Sequence, residues 1–195
     1  MAAGCLDTIT GAARFIAFNA PFALRKTFCC QRSQIPNLIQ VSERLFRGGQ
    51  PNKEGLQTLC EKHQVSTVVN LRVTDTNKPL LEGLSIQSRC VYFDPDTGKH
   101  DPVVARETAR KAAIEFLKIM KDPNAGVVYL HCYYGKERTG TLVAIERMVL
   151  EGWSAEQAIA ELRSDPGFHE ARHPQLVEFI RNFDIEAAKS ELKIN

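Results

Sequence analysis

Short apolar runs along the chain predict the strands of a buried sheet. The segment 65–71, VSTVVNL, is apolar and β-branched, as a central strand covered on both faces should be. The segments 84–93, LSIQSRCVYF, and 126–132, GVVYLHC, predict two further strands. Residues 38–52, LIQVSERLFRGGQPN, predict a strand pair that ends in a Gly-Gly turn. A sheet is therefore expected to draw its strands from residues 38 to 132.

Apolar residues at helical spacing fill the segments between and after these strands. Between about 103 and 121 they recur every three or four residues, which is the period of an amphipathic helix. The segment 139–152 is mostly apolar and predicts a buried helix. Ser154 begins another helix with the spacing of a capping box, and Pro174 begins a last one that runs through Phe183. This alternation predicts an α/β fold, with a central, mainly parallel sheet flanked by helices.

Length and charge narrow the class of protein. A chain of 195 residues that is 44% hydrophobic and 25% charged can bury one sizeable core. We expect one domain over residues 36–190 and an N-terminal appendage over residues 1–35. The formal net charge of +2 is close to balance, so the basic field typical of nucleic-acid binding is missing, and no nucleic-acid partner is expected.

The N-terminal segment carries an excess of positive charge, because residues 1–34 hold four basic residues against Asp7 alone. It lacks the basic start and unbroken apolar run of a secretory signal, and no later run approaches the roughly 18 apolar residues that span a bilayer. The sequence therefore predicts a soluble, cytoplasmic protein. The segment is interpreted as a helix or arm that packs on the domain. Weak membrane contact through residues 14–30 and disorder are the alternatives.

The six cysteines do not form a recognisable framework. Their positions show neither the two-residue spacing nor the His-Cys pairs of a zinc site, so no disulfide framework, metal or other cofactor is expected. Cys60 and Cys90 are expected to behave as small buried hydrophobic residues.

The apolar segment 126–132 leads directly into HCYYGKERTG, residues 131–140. A loop between the carboxyl end of a buried strand and the start of a helix directs backbone N–H groups inward, and the helix dipole adds positive potential there. Gly135 permits a tight backbone path, and the Arg138 guanidinium can bind two oxygens of a tetrahedral anion. The predicted phosphate-binding residues are Tyr133, Tyr134, Gly135, Lys136, Glu137 and Arg138.

The same positive potential stabilises the thiolate form of Cys132 and predicts a nucleophile. A thiolate in a phosphate-binding loop can attack phosphorus in line and form a cysteinyl-phosphate, which water then hydrolyses. Thr139 could donate a hydrogen bond to the sulfur, which would stabilise it as the leaving group of the second step. His131 is expected to lie buried beneath the loop and to support its shape.

The motif fixes six positions at once, which is far more specific than a cysteine and an arginine alone. The sequence HCYYGKERTG resembles the signature loop of the cysteine-dependent protein tyrosine and dual-specificity phosphatases. The segments LFRGGQPNKEGLQTL, VSTVVNLR and EGWSAEQAIAEL extend the similarity to a compact bacterial branch of dual-specificity-like phosphatases, over roughly residues 38–185. This resemblance implies a dual-specificity phosphatase fold and a phosphoric monoester hydrolase that needs no cofactor.

The resemblance also implies an aspartic general acid in the loop before the long helix. Asp101 lies 31 residues before Cys132, a separation similar to that of dual-specificity phosphatases. Asp96 resembles the acid of the Trp-Pro-Asp loop of the classical enzymes, and Asp94 is a third candidate. Asp101 is favoured over Asp96, although a helix N-cap before Pro102 would also explain it.

The expected substrates are phosphotyrosine and phosphoserine or phosphothreonine proteins. Lys136 resembles a lysine of phosphoinositide and inositol-phosphate phosphatases, so those substrates are the alternative; a solvated lysine would look the same in sequence. Tyr133 and Tyr134 could pack beside a phosphorylated aromatic ring or cover the core. A catalytically idle phosphate-binding module is the remaining alternative.

Overall fold

The computed structural model describes residues 34–94 and 102–194. These residues form five β-strands and six α-helices, joined by loops and short 3₁₀ turns. The strands are β1 (Ile39–Gln40), β2 (Leu45–Gly48), β3 (Val65–Asn70), β4 (Gln87–Cys90) and β5 (Val127–His131). The helices are α1 (Lys53–His63), α2 (Pro102–Lys121), α3 (Glu137–Leu150), α4 (Ala155–Ser164), α5 (Pro174–Arg181) and α6 (Ile185–Leu192).

The five strands form one sheet in the order β1-β2-β5-β3-β4. Strand β5 pairs in parallel with β2 on one side and β3 on the other, and β3 pairs in parallel with β4. Only the short edge pair of β1 and β2 is antiparallel within this sheet. The prediction of a central, mainly parallel sheet flanked by helices is confirmed. The strand that leads into the predicted phosphate-binding loop lies in the middle of the sheet.

Two apolar clusters cover the faces of the sheet, and β5 contributes to both. Val128 and Leu130 belong to the larger cluster, which contains buried residues from each of the helices α2 to α6. Tyr129 points to the opposite face, where it joins Leu56 and Leu59 of α1. Val128, Tyr129 and Leu130 are all fully buried. This double burial explains why β5 reads as an unbroken apolar run.

The helix boundaries agree with the sequence signals in most places. Helix α2 covers the predicted segment 103–121, and Ser154 forms the predicted capping box with Gln157 at the start of α4. The predicted last helix through Phe183 is wrong in its extent. Helix α5 ends at Arg181, and Asp184 caps a separate helix by accepting a hydrogen bond from the Ala187 N–H at 2.9 Å.

The edge strand is shorter than the predicted segment 84–93. Strand β4 covers only Gln87–Cys90, although the chain stays beside β3 because Val91 N donates to Asn70 O at 2.9 Å. The expectation that Cys60 and Cys90 are buried is also wrong. Cys60, on α1, is half-buried. Cys90 is exposed because β4 is an edge strand with little packed over it.

The described residues begin at Gln34. The N-terminal appendage up to position 33, with the predicted membrane contact through residues 14–30, lies outside them. Within the described ranges, no helix is both long enough and apolar enough to cross a bilayer.

Candidate active site

The loop that follows β5 is held in a tight path by glycine. Gly135 has a φ of +74°, a conformation that residues with a Cβ rarely adopt. A Cβ at this position would also collide with the backbone of Gly48 at the end of β2. On the same side, Gln50 N donates to Tyr133 O at 2.9 Å. The turn after β2 therefore fixes the path of the loop, and Gly135 is required on two separate grounds.

The Cys132 thiol lies inside this loop. Its residue is only 3% exposed, and the backbone N–H of Gly135 donates to Sγ at 3.2 Å. Arg138 lies in the first turn of α3 and is half-buried. The sulfur, its backbone donor and the residue Arg138 therefore lie at the junction of a central strand and a helix N-terminus, where the helix dipole is positive.

Thr139 lies next to Arg138 and is fully buried. Its Oγ1 has no hydrogen-bond partner among the described residues. Buried hydroxyl groups are normally paired, and each exception calls for an explanation. Thr139 therefore forms no hydrogen bond with Cys132 Sγ in this structure, and the predicted bond from its hydroxyl to the sulfur stays a prediction.

His131 lies beneath the loop with both ring nitrogens engaged. Asn77 Nδ2 lies 2.7 Å from Nε2, and Nδ1 lies 2.9 Å from the carbonyl oxygen of Cys132. Since Asn77 Nδ2 can only donate, Nε2 accepts and Nδ1 carries the proton that it donates to Cys132. Burial lowers the pKa of His131 to about 4, so the ring is neutral at pH 7. The geometry fits the predicted supporting role.

A polar network extends from His131 to residues that sequence reasoning missed. Gln50 Nε2 donates to Asn77 Oδ1 at 2.8 Å, and Gln50 Oε1 accepts from Arg72 Nη1 at 3.1 Å. The Arg72 guanidinium lies over the Tyr133 ring, 5.2 Å from its centroid. One signal could have found Arg72 and Asn77: both follow a predicted parallel strand, and carboxyl ends of parallel strands share one edge of the sheet.

A buried ion pair lies on the other side of the loop. Arg47 of β2 pairs with Asp165, which follows α4, and both side chains are largely buried. Burial lowers the pKa of Arg47, while the Asp165 carboxylate raises it. A Cβ on Gly140 would lie 2.9 Å from Arg47 Nη1. The second glycine of the motif therefore makes room for this guanidinium beside the first turn of α3.

The predicted phosphate-binding side chains lie in different environments. Tyr133 and Tyr134 are 51% and 61% exposed, so they do not cover the core. Lys136 is half-buried, and its side chain lies so close to Gly167 that a Cβ there would collide with it. Glu137 begins α3, where its carbonyl accepts from Thr141 Oγ1 at 2.8 Å.

Two of the three candidate acids, Asp96 and Asp101, lie outside the described residues, which omit 95–101. Asp94 is half-buried and accepts a hydrogen bond from the Tyr92 hydroxyl at 3.1 Å. Partial burial and the Asp94 carboxylate raise the pKa of Tyr92, and the positive charge of Arg138 opposes that shift. The chain therefore passes within electrostatic range of Arg138 just before it enters the loop of the candidate acids.

Over residues 34–94 and 102–194, no group of three or more His, Cys, Asp or Glu side chains could hold a metal ion. The loop itself supplies the Cys132 thiol, Arg138 and the backbone N–H of Gly135.

A comparison with protein families identifies the chain. Residues 31–178, well over half of its length, match the family described as DSP-PTPase phosphatase fused to NAD+ kinase. The chain belongs to this family. The predicted relation to cysteine-dependent tyrosine and dual-specificity phosphatases is therefore confirmed.

Individual relatives of this phosphatase family are distant in sequence. The chain is 24% identical to the dual specificity protein phosphatase TpbA of Pseudomonas aeruginosa over 153 residues, which cover 78% of the chain and 65% of the relative. It is 25% identical to the inositol diphosphatase DSP3 of Arabidopsis thaliana over 149 residues, which cover 76% and 70%. The chain thus spans slightly less than two thirds of TpbA.

Solved structures share the fold. The crystal structure of P. aeruginosa TpbA superposes with a TM-score of 0.65 at 22% identity, and the match covers 83% of this chain and 98% of the crystallised TpbA chain. The catalytic core of the PP-IP phosphatase SIW14 from S. cerevisiae gives a TM-score of 0.63 at 21% identity, with 81% and 93% covered. At these identities the likeness establishes the dual-specificity phosphatase fold.

Proposed function

We propose that the protein is a cysteine-dependent phosphatase that hydrolyses phosphate monoesters through a cysteinyl-phosphate intermediate. The observation that carries this proposal is the buried Sγ of Cys132, which accepts the Gly135 N–H at the junction of β5 and α3. Membership of the phosphatase family supports the same reaction class.

The first chemical step forms a bond between Sγ and phosphorus and breaks the ester bond to the alcohol. Arg138 and the loop N–H groups bind the phosphoryl oxygens, where the negative charge lies. The departing oxygen takes a proton from an aspartic acid, for which Asp101 is our first choice, Asp96 the second and Asp94 the third.

In the second step water attacks phosphorus, and the aspartate formed in the first step accepts a proton from that water. The S–P bond breaks, inorganic phosphate is released, and the thiolate is regenerated. The unpartnered hydroxyl of Thr139 would stabilise the departing sulfur by donating a hydrogen bond to it.

For the substrate we propose phosphotyrosine and phosphoserine or phosphothreonine proteins. TpbA is named a dual specificity protein phosphatase, and one of its structures is described as a complex with pTyr. The exposed rings of Tyr133 and Tyr134 beside the loop would suit a phosphorylated aromatic side chain. Inositol phosphates are the second candidate, because DSP3 is named an inositol diphosphatase and SIW14 a PP-IP phosphatase.

The test is the variant Cys132→Ser, assayed with p-nitrophenyl phosphate and by vanadate binding. Removing the nucleophile should reduce kcat by at least about 10³-fold, while vanadate still binds because the loop donors remain. The matched control is Cys60→Ser, which removes a half-buried thiol on α1 and should leave kcat unchanged.

Two outcomes would contradict the proposal. Full turnover by Cys132→Ser would exclude the cysteinyl-phosphate route. A wild-type protein that binds phosphate or a phosphopeptide tightly, yet turns over neither p-nitrophenyl phosphate nor the peptide, would favour the catalytically idle binding module.

A further inference from the structure

Arg72 lies at the same edge of the sheet as the phosphate-binding loop. In the parallel register Asn70 lies beside His131, and Leu71 N donates to His131 O at 2.9 Å. Arg72 therefore follows β3 at the level where Cys132 and Tyr133 follow β5. It is half-buried, which places it at the rim of the site rather than beneath it.

The Arg72 side chain is held in one place by two contacts. Its Nη1 donates to Gln50 Oε1 at 3.1 Å, and its guanidinium lies over the Tyr133 ring at 5.2 Å from the centroid. Its backbone N–H donates to Asn70 Oδ1 at 2.9 Å. A guanidinium carries five N–H donors, so the bond to Gln50 leaves others for a ligand. Arg72 is thus a preorganised cation, which loses little entropy when it binds an anion.

The buried arginines of the described residues are neutralised by carboxylates, whereas the half-buried Arg72 is not. Arg47 pairs with Asp165, and Arg147 pairs with Glu151 and Glu161. Over residues 34–94 and 102–194, no carboxylate forms an ion pair with Arg72 or with Arg138. Arg138 keeps its charge for the scissile phosphate under the proposed function.

We propose that Arg72 binds a second phosphate group of the substrate, next to the phosphate that Cys132 attacks. The proposal rests on the proposed function, because it assigns specificity to the same site. A planar guanidinium held beside the loop can bind two oxygens of a phosphate, and no carboxylate among the described residues neutralises the charge of Arg72. The second phosphate can belong to an inositol polyphosphate or to a doubly phosphorylated peptide.

The position of Lys136 separates it from this role. Its side chain runs along Gly167, in the loop after α4, whereas Arg72 contacts Gln50 and Tyr133. The two cations therefore contact different segments of the chain, and their variants can be compared on the same substrates.

The test measures kcat/KM on two substrate pairs. One pair is a phosphotyrosine peptide with and without a neighbouring phosphothreonine, and the other is an inositol monophosphate with an inositol polyphosphate. In each pair the readout is the ratio between the doubly and singly phosphorylated substrate. Arg72→Gln should lower this ratio about tenfold in at least one pair, mainly through KM, because the positive charge that binds the extra phosphate is lost. Arg72→Lys should recover part of the loss, and Arg89→Gln removes an exposed cation of β4 as a matched control.

The pair that responds identifies the source of the second phosphate. Equal losses on both members of each pair would overturn the proposal, since Arg72 would then position the loop. An unchanged ratio in both pairs would overturn it as well.

Failure of the proposed function is recognised separately, because a wild type without turnover of p-nitrophenyl phosphate fails before any ratio is measured. In that case calorimetric titration of Cys132→Ser with phosphate and with pyrophosphate still tests Arg72. Adding Arg72→Gln should lower the ratio of pyrophosphate affinity to phosphate affinity about tenfold. An unchanged ratio would overturn the proposal.

Discussion

His131 and Glu146 are both almost fully buried, and they lie on either side of the start of α3: His131 ends β5 before this helix, and Glu146 lies within it. His131 lies under the catalytic loop and has a partner on each ring nitrogen. Glu146 lies in the second half of α3, is 5% exposed, and its Oε2 has no hydrogen-bond partner among the described residues. Burial lowers the pKa of His131 to about 4 and raises that of Glu146 to about 7. His131 therefore has both of its polar atoms paired, whereas Glu146 has a buried carboxylate oxygen without a partner among the described residues.

The two pKa shifts have opposite effects on how stability depends on pH. Between about pH 6.5 and 4 the unfolded chain binds a proton at His131 that the folded protein does not, so stability falls as the pH is lowered. Between about pH 4.5 and 7 the folded protein retains a proton on Glu146 that the unfolded chain has lost, so stability falls as the pH rises. Each shift corresponds to roughly 3 kcal/mol at most.

The largest expected effect comes from Gly135→Ala, which disrupts the catalytic loop. The added Cβ meets the Gly48 backbone in a residue with φ of +74°, so the loop must move. We expect kcat to fall at least about 100-fold and the free energy of unfolding to fall by about 3 kcal/mol. Enzyme assays and urea denaturation measure the two effects.

Gly152→Ala is the matched control for this prediction. Gly152 has the same φ of +74°, but a Cβ there meets nothing within 4 Å. Backbone strain alone should cost about 1 to 2 kcal/mol and leave kcat unchanged. Equal losses for the two variants would show that strain, rather than contact with Gly48, makes Gly135 necessary.

A smaller effect is expected from Asn77→Asp, which replaces the donor to His131 with an acceptor. At pH 8 a buried carboxylate would face the Nε2 lone pair, and we expect a loss of about 1 to 3 kcal/mol in the free energy of unfolding. The loss should shrink at lower pH, because the carboxylate favours a protonated His131 and raises its pKa above 4.

NMR titration of the His131 ring and urea denaturation across pH measure this change. Asn182→Asp, at an exposed position, provides the control. A His131 pKa that stays near 4 in Asn77→Asp would contradict the hydrogen-bond assignment.

The smallest effect is expected from Glu146→Gln, which keeps the shape of the side chain and removes its titration. Stability should be nearly unchanged at pH 5, where Glu146 is already protonated, and should rise by about 1 kcal/mol at pH 8. Denaturation curves at the two values measure the difference, and the exposed Glu115→Gln is the control. A gain that is equal at both values would refute the raised pKa of Glu146.

The sequence predicted the parts of the site that are local in the chain. Cys132, Gly135, Arg138 and Thr139 lie within eight residues, so their spacing on a strand, loop and helix could be interpreted directly. The buried central strands could be predicted equally well, because β3 and β5 are covered on both faces and consist mainly of β-branched and apolar residues.

The parts that sequence reasoning missed depend on distant partners. Gln50 and Asn77 join the site across 27 positions of sequence, and His131 lies another 54 positions further on. Polar residues in loops carry no periodicity that reveals such a network. The break between α5 and α6 was missed for a different reason, since the apolar spacing continues to Phe183 and conceals the Asp184 cap.

The central position of β5 has a consequence for folding. Its neighbours β2 and β3 are separated from it by about 60 to 80 residues of chain, yet no ladder joins β2 to β3 directly. Closing such long loops is slow, and until β5 inserts, both neighbours keep an unpaired edge facing a gap one strand wide. The loop needs Gly48 on one side and Asn77 on the other. In a nascent chain the loop that carries Cys132 therefore cannot take its final path until β2, β5 and the segment of Asn77 have met.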